Sequence, residues 1–189
     1  MTAPRHAIPV TLRRATSADA PTLLAWRREP SAARFQPLRD RPLDALRHEL
    51  EIDGAKPIDA AFDGSGRFIV VAGGEDAGWV TLQRVDRDDR TASVGYTIAE
   101  RFRARGIATA AVRAVIDIAF GPLGIERLGA VAAVENIASR RVLERSGFRF
   151  EGIARGLLVI AGERVDHATY GLLVTDHRPF LNALASQDD

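Results

Sequence analysis

The feature that most restricts the fold is a change of hydrophobic period between Arg67 and Val134. Arg67 to Ala72, Trp79 to Val85 and Thr91 to Ile98 are short segments rich in β-branched and aromatic residues, which marks them as strands. Gly73-Gly74-Glu75-Asp76 and Asp86-Arg87-Asp88-Asp89-Arg90 join them with turn-forming residues. Links this short make the three strands antiparallel neighbours. The period then becomes helical from about Thr109 to Phe120, where Ala108, Ala111, Val112, Val115, Ile116 and Ala119 share one stripe. Gly121-Pro122 stops that helix, and Arg127 to Val134 returns to an apolar strand. One strand-helix-strand crossover inside a sheet of hairpins is a mixed α/β (α+β) pattern.

The flanks extend the pattern. Val10 to Arg14 is a strand candidate, and Thr16-Ser17-Ala18-Asp19 caps a helix through Leu23, Leu24 and Trp26 that stops near Pro30. Residues 31 to 41, with Pro37 and several charges, are expected as a loop. Asp40-Arg41-Pro42 opens a second helix with Leu43, Leu46 and Leu50 on one face. After the central strand, Asn136 caps a helix that Gly147 ends, and Phe148 to Ala154 and Glu163 to Val174 complete the sheet. No repeat or linker divides the chain, so residues 1–189 are read as one domain. Residues 1–9 are expected to be a flexible N-terminus and 176–189 a tail or short helix.

Composition removes several functions. A formal net charge of +1 gives no overall case for a nucleic-acid or membrane partner, and the cluster Arg101, Arg103, Arg105 and Arg113 is set in no wider basic field. The absence of cysteine removes disulfides, thiolate metal sites and a cysteine nucleophile. His6, His48, His167 and His177 have no ligand spacing, so no metal centre is expected. No signal-peptide pattern precedes Pro9, so the expected location is cytoplasmic.

Two segments carry chemistry. Arg103-Ala104-Arg105-Gly106-Ile107-Ala108-Thr109 follows a strand and opens a helix. Small residues let a ligand approach the backbone, while the first helical amides, the helix dipole and two arginines suit a diphosphate. Taken alone, the same residues also make a solvated basic turn. Val134-Glu135-Asn136-Ile137-Ala138-Ser139 is the second segment, about 30 residues on and again at the end of a central strand. Ligands of open α/β sheets bind beyond such strand ends.

Together these residues resemble the GNAT-type N-acetyltransferase superfamily, in its RimJ/RimL-like branch that modifies ribosomal-protein N-termini. The resemblance rests on Gly95-Tyr96-Thr97-Ile98, Arg103-x-x-Gly106-x-Ala108-Thr109 and Glu135-Asn136-x-x-Ser139-x-x-x-Leu143-Glu144-x-x-Gly147-Phe148. Glu151-Gly152 and Tyr170-Gly171-Leu172-Leu173 extend it. It implies a mostly antiparallel, mixed sheet of about seven strands, splayed in the middle, with about four helices on its two faces. It further implies that acetyl-CoA lies in the splay as co-substrate, its arm paired with the strand around Ile98. Its diphosphate would lie on the amides of Arg103, Ala104, Arg105, Gly106, Ile107, Ala108 and Thr109. Asn136 would contact the pantetheine, Ser139 would protonate the departing thiolate as general acid, and Arg140 or Arg141 would reach the 3′-phosphate.

The resemblance leaves the general base open. Where relatives often carry a glutamate before the Gly-Tyr pair, this chain has Ser93 and Val94. Glu151 and Asp166 are the base candidates put forward, with Glu100, Glu135 and His167 behind them. Trp26, Phe35 and Trp79 are candidates for lining an acceptor pocket, Phe35 foremost. The expected reaction is acetyl transfer to a primary amine, a small molecule or a protein N-terminus, by a monomer or homodimer. A longer-chain acyltransferase and a non-catalytic CoA sensor are the alternatives.

Overall fold

The computed structural model describes residues 8–37 and 41–177. Residues 1–7 and 178–189, most of the expected flexible N-terminus and C-terminal tail, lie outside the described residues, as does Asp40. The elements are β1 (Val10–Arg14), α1 (Ala20–Arg28), α2 (Pro30–Ala33), α3 (Leu43–Ala55), β2 (Gly64–Ala72), β3 (Glu75–Asp86) and β4 (Thr91–Ile98). They continue with α4 (Ile107–Phe120), β5 (Arg127–Ala133), α5 (Ile137–Arg145), β6 (Arg149–Ile160) and β7 (Glu163–Leu173).

The strands form one sheet in the order β1-β2-β3-β4-β5-β7-β6. Only β4 and β5 run parallel, which requires a crossover, and α4 supplies it. Ile107, Ala111, Val112, Val115, Ile116 and Ala119 bury the inner stripe of α4. That face packs on β1, β3 and β4 and on α5, whereas α3 packs on β2 and α1. Each fully buried branched side chain contributes on the order of 1.5–3 kcal/mol.

The feature that makes a site is a seam. β4 pairs with β5 only from Thr91 with Arg127 to Val94 with Ala130. Past that point β4 stays on β3 as far as Ile98, and β5 stays on β7 as far as Ala133 with His167. Gly95–Ile98 and Val131–Ala133 therefore face each other without pairing. Ala99 N–H donates to the Ala77 carbonyl at 2.9 Å. By antiparallel alternation, Tyr96 and Ile98 then turn their own peptide groups away from β3 and into the opening.

Three segments differ from expectation. Pro30 does not merely stop α1: it starts α2, because proline is tolerated where a helix has no N–H acceptor. Ser31 N–H donates to Glu100 Oε1 (3.0 Å) and Glu100 N–H to Glu29 Oε2 (2.8 Å), which clips α2 to the end of β4. Helix α4 begins two residues before Thr109, since Gly106 adopts φ 80° as its N-cap. Strand β6 runs on to Ile160, past Ala154, and turns into β7 through Ala161 and Gly162, both at positive φ. A bulge between Ala154 and Leu158, with Gly156 at φ 56°, breaks the alternation that would have revealed this strand.

The β3–β4 pairing has one position that admits no side chain. A Cβ on Gly78 would collide with the Thr97 carbonyl oxygen and the Ile98 Cα, both backbone. Gly78→Ala is expected to destabilise the fold by about 3 kcal/mol, read as a lower urea midpoint at unchanged m-value.

Candidate active site

Two cavities of about 490 Å³ each meet at the seam. Phe35, Gln36, Tyr96, Asn136 and Ser139 line both. The first runs toward the N-terminus of α4. Ile98, Arg103, Ala104, Gly106, Ile107, Ala108 and Thr109 line it, with Arg141 and Arg145 at the side of α5. Nearly all of the expected diphosphate loop is therefore in one wall. Ala104 (φ 58°) and Gly106 (φ 80°) turn the backbone left-handed, and helix α4 has no side-chain cap. The amides of Ile107, Ala108 and Thr109 thus lack intrahelical acceptors. A Cβ on Gly106 would meet nothing within 4 Å, so the space in front of these amides is open.

The arginines of the loop behave differently from expectation. Arg103 folds back, its Nε donating to the Ile98 carbonyl at 2.8 Å, and so shapes the loop. Arg105 does not line the cavity; its guanidinium carbon lies 5.9 Å from the centre of the Phe102 ring. Of the pair on α5, Arg141 faces the cavity, while Arg140 Nε donates to the Tyr170 hydroxyl at 3.1 Å.

At the junction, Asn136 Oδ1 caps α5 by accepting from Ser139 N–H at 3.1 Å. The Tyr96 hydroxyl lies 2.8 Å from Ser139 Oγ and 3.0 Å from the Ser139 carbonyl oxygen. Gln36 Nε2 donates to Thr97 Oγ1 at 2.8 Å and reaches the Tyr96 carbonyl at 3.4 Å. Burial pushes the Tyr96 phenol up to about 12, so it keeps its proton at any physiological pH. The folded-state value is above the ordinary one. The contribution of this group to stability is therefore present below a pH of about 10 and is lost as the pH climbs toward 12. Tyr96→Phe is expected to remove a loss of roughly 3 kcal/mol in that window, measured by urea unfolding across the alkaline range.

The second cavity opens on the other side of the junction. Its walls include Glu49, Asp53, Arg67, Trp79, Thr81, Val131 and His167. Phe35 and Trp79 line it as expected, but Trp26 does not and belongs to the core, 7% exposed.

The two foremost base candidates are elsewhere. Glu151 accepts both Arg127 Nη2 contacts, at 2.7 and 2.8 Å, and this pair packs over Gly171. Asp166 is exposed and accepts from Gly156 N–H at 2.7 Å, pinning the β6 bulge. Neither lines a cavity. Glu100 is held below the usual carboxylate range by hydrogen bonding from Ser31 and works as a clip, and Glu135 is exposed outside both walls. His167 is brought in: it is 2% exposed, and its Nδ1 lies 2.9 Å from the Val165 carbonyl oxygen. A carbonyl can only accept, so Nδ1 carries the hydrogen and Nε2 keeps its lone pair in the neutral ring. Nε2 has no hydrogen-bond partner among the described residues.

Sequence reasoning missed Gln36, Glu49, Asp53 and Arg67 as site residues. They lie on separate elements, and only tertiary packing gathers them.

Residues 10–149 match the acetyltransferase (GNAT) domain. The chain belongs to the GNAT acetyltransferase family. The seven-stranded sheet with its open seam is the fold this GNAT chain was expected to adopt. YdaF of Bacillus subtilis strain 168, named provisionally as a ribosomal N-acetyltransferase, is 43% identical over 100 residues, 53% of the GNAT chain and 55% of YdaF. In this and two other curated matches from that organism, the chain spans about half of the relative's length. RimJ of Mycobacterium smegmatis, solved in complex with CoA-disulfide, superposes with a TM-score of 0.79 at 26% identity, covering 90% of this GNAT chain and 84% of RimJ. The ribosomal-protein-S5-alanine acetyltransferase from Vibrio fischeri gives 0.76 at 25% identity, covering 90% and 96%. The likeness to the RimJ/RimL-like branch of GNAT proteins is borne out. Among the described residues, no helix is long and apolar enough to cross a membrane.

Proposed function

We propose that this chain transfers the acetyl group of acetyl-CoA to a primary amine in a ternary complex. The observation that carries this reading is the junction of two cavities at Tyr96, Asn136 and Ser139, across the unpaired β4–β5 seam. The α4-side cavity fits CoA: open space lies before uncapped helical amides, and left-handed turns at Ala104 and Gly106 aim the loop amides together. CoA bound to the RimJ relative supports the same choice. Peptide groups of Tyr96 and Ile98 face the seam and hold the pantetheine arm, and Arg141 and Arg145 meet the phosphates.

Acetyl-CoA supplies an activated thioester carbonyl to this junction. His167 Nε2 takes the proton that the ammonium must lose before it attacks. The C–N bond forms as the C–S bond breaks. Ser139 Oγ–H then donates to the departing thiolate, and the Tyr96 hydroxyl, still protonated and 2.8 Å behind it, turns its hydrogen from the Ser139 carbonyl oxygen to Ser139 Oγ. The walls hold both reactants at once, which replaces a bimolecular encounter by an oriented one.

Free-thiol release from acetyl-CoA, followed with and without a panel of primary amines, tests the proposal. Release that rises with one amine class is expected. CoA binding with no amine-stimulated release would overturn it in favour of a sensor.

A further inference from the structure

The second cavity has a chemical preference. Arg67 on β2 and Trp79 on β3 are diagonal neighbours, because Arg67 pairs with Thr81 and Ile69 with Trp79. The Arg67 guanidinium carbon lies 5.9 Å from the Trp79 ring centre, and both residues line the cavity. Each carries a buried donor with no hydrogen-bond partner among the described residues, Arg67 Nη1 and Trp79 Nε1. Trp79 is 8% exposed and the Arg67 side chain 13%. Unpaired buried donors are costly, and where they line a cavity they are ordinarily met by water or a ligand.

The charge around them is poorly compensated. Glu49 is shared: Arg41 Nη1 approaches it at 2.6 Å, while Arg67 Nη2 reaches it only at 3.5 Å. Asp53 is pushed up by burial and then by the nearby Glu49. Among the described residues, Arg27, Arg41, Arg67 and Arg84 face the cavity against only Glu49 and Asp53. A polycationic acceptor would enter a positive field, whereas a carboxylate would find two donors and an under-neutralised guanidinium.

We propose that the acetyl acceptor is an amine carrying a carboxylate close by, and that Arg67 and Trp79 Nε1 bind that carboxylate. This rests on the acetyl-transfer reading above. The carboxylate has two possible sources: the α-carboxylate of a free amino acid, or the side chain of an acidic residue next to a peptide N-terminus.

Thiol release is measured with three sets of acceptors: alanine against alaninamide, N-terminal peptides opening Ala-Asp against Ala-Asn, and spermidine. The carboxylate member of one pair is expected to show a kcat/KM about 30-fold above its neutral match, carried by KM. The pair that responds identifies the source. In Arg67→Gln this ratio is expected to collapse toward one, with CoA affinity retained; in Trp79→Phe it falls less, since the ring stays. Equal rates within both pairs, or spermidine preferred over all, would overturn the inference while leaving acetyl transfer intact. If no acceptor releases thiol, the acetyl-transfer reading fails. Calorimetric binding of the same acidic peptide in the presence of CoA, abolished in Arg67→Gln or indifferent to it, then decides the inference by itself.

Discussion

Gly106→Glu is expected to weaken CoA binding by about 100-fold or more, roughly 3 kcal/mol, while the protein remains folded. The reason is geometric. Gly106 is the N-cap of α4 at φ 80°, and the space its side chain would enter is empty in the protein. A Cβ there meets no atom within 4 Å, so the expected cost to the fold is the backbone strain of a left-handed non-glycine residue, about 1 kcal/mol. Its carboxylate, however, occupies the position before the amides of Ile107, Ala108 and Thr109 and competes for the same donors and dipole. Gly106→Ala separates the two effects, because it carries the strain without the charge. Calorimetric titration with CoA should rank the affinities as wild type, then Ala, then Glu far below. Equal affinity for wild type and Glu would remove the diphosphate from this loop.

The second large effect belongs to His167. His167→Ala is expected to lower kcat by about 100- to 1,000-fold with CoA affinity unchanged, since the side chain lines only the acceptor cavity. A merely structural role for a buried imidazole would predict lost stability instead. Added imidazole discriminates between them: it should restore part of the rate in His167→Ala by supplying the missing base. His167→Gln fills the space and can bond the Val165 carbonyl, yet offers no basic nitrogen, so it should be stable and slow. A His167→Gln variant with wild-type turnover would place proton removal elsewhere.

The two residues show what could be read from sequence. Gly106 was legible because its meaning is local: a small residue between a strand and a helix fixes where backbone donors converge. The same holds for the Asn136 cap and for the strands β1 and β4, whose bounds are those read from the sequence, Val10 to Arg14 and Thr91 to Ile98. His167 was only one name among several, because the acceptor cavity is a product of packing. Glu151 carries suitable chemistry in the sequence, but Arg127, 24 residues away, holds it. Asp166 sits beside His167 in sequence, but strand alternation sends neighbouring side chains to opposite faces, and it bonds the β6 bulge instead. Arg103 and Arg105 carried the right charge in the right loop, yet their side-chain directions follow from Ile98 and Phe102. Strand β6 was cut short in sequence because its bulge at Gly156 hides the period-two signal.

The central claim is that two cavities joined at Ser139 hold both substrates at once and that the acetyl group passes directly between them. Initial rates of thiol release, measured while acetyl-CoA and amine are varied together, test it most directly. Double-reciprocal lines that intersect are the predicted result, as a ternary complex requires. Parallel lines would mean an acetylated enzyme forms and CoA leaves before the amine binds, and would contradict the account.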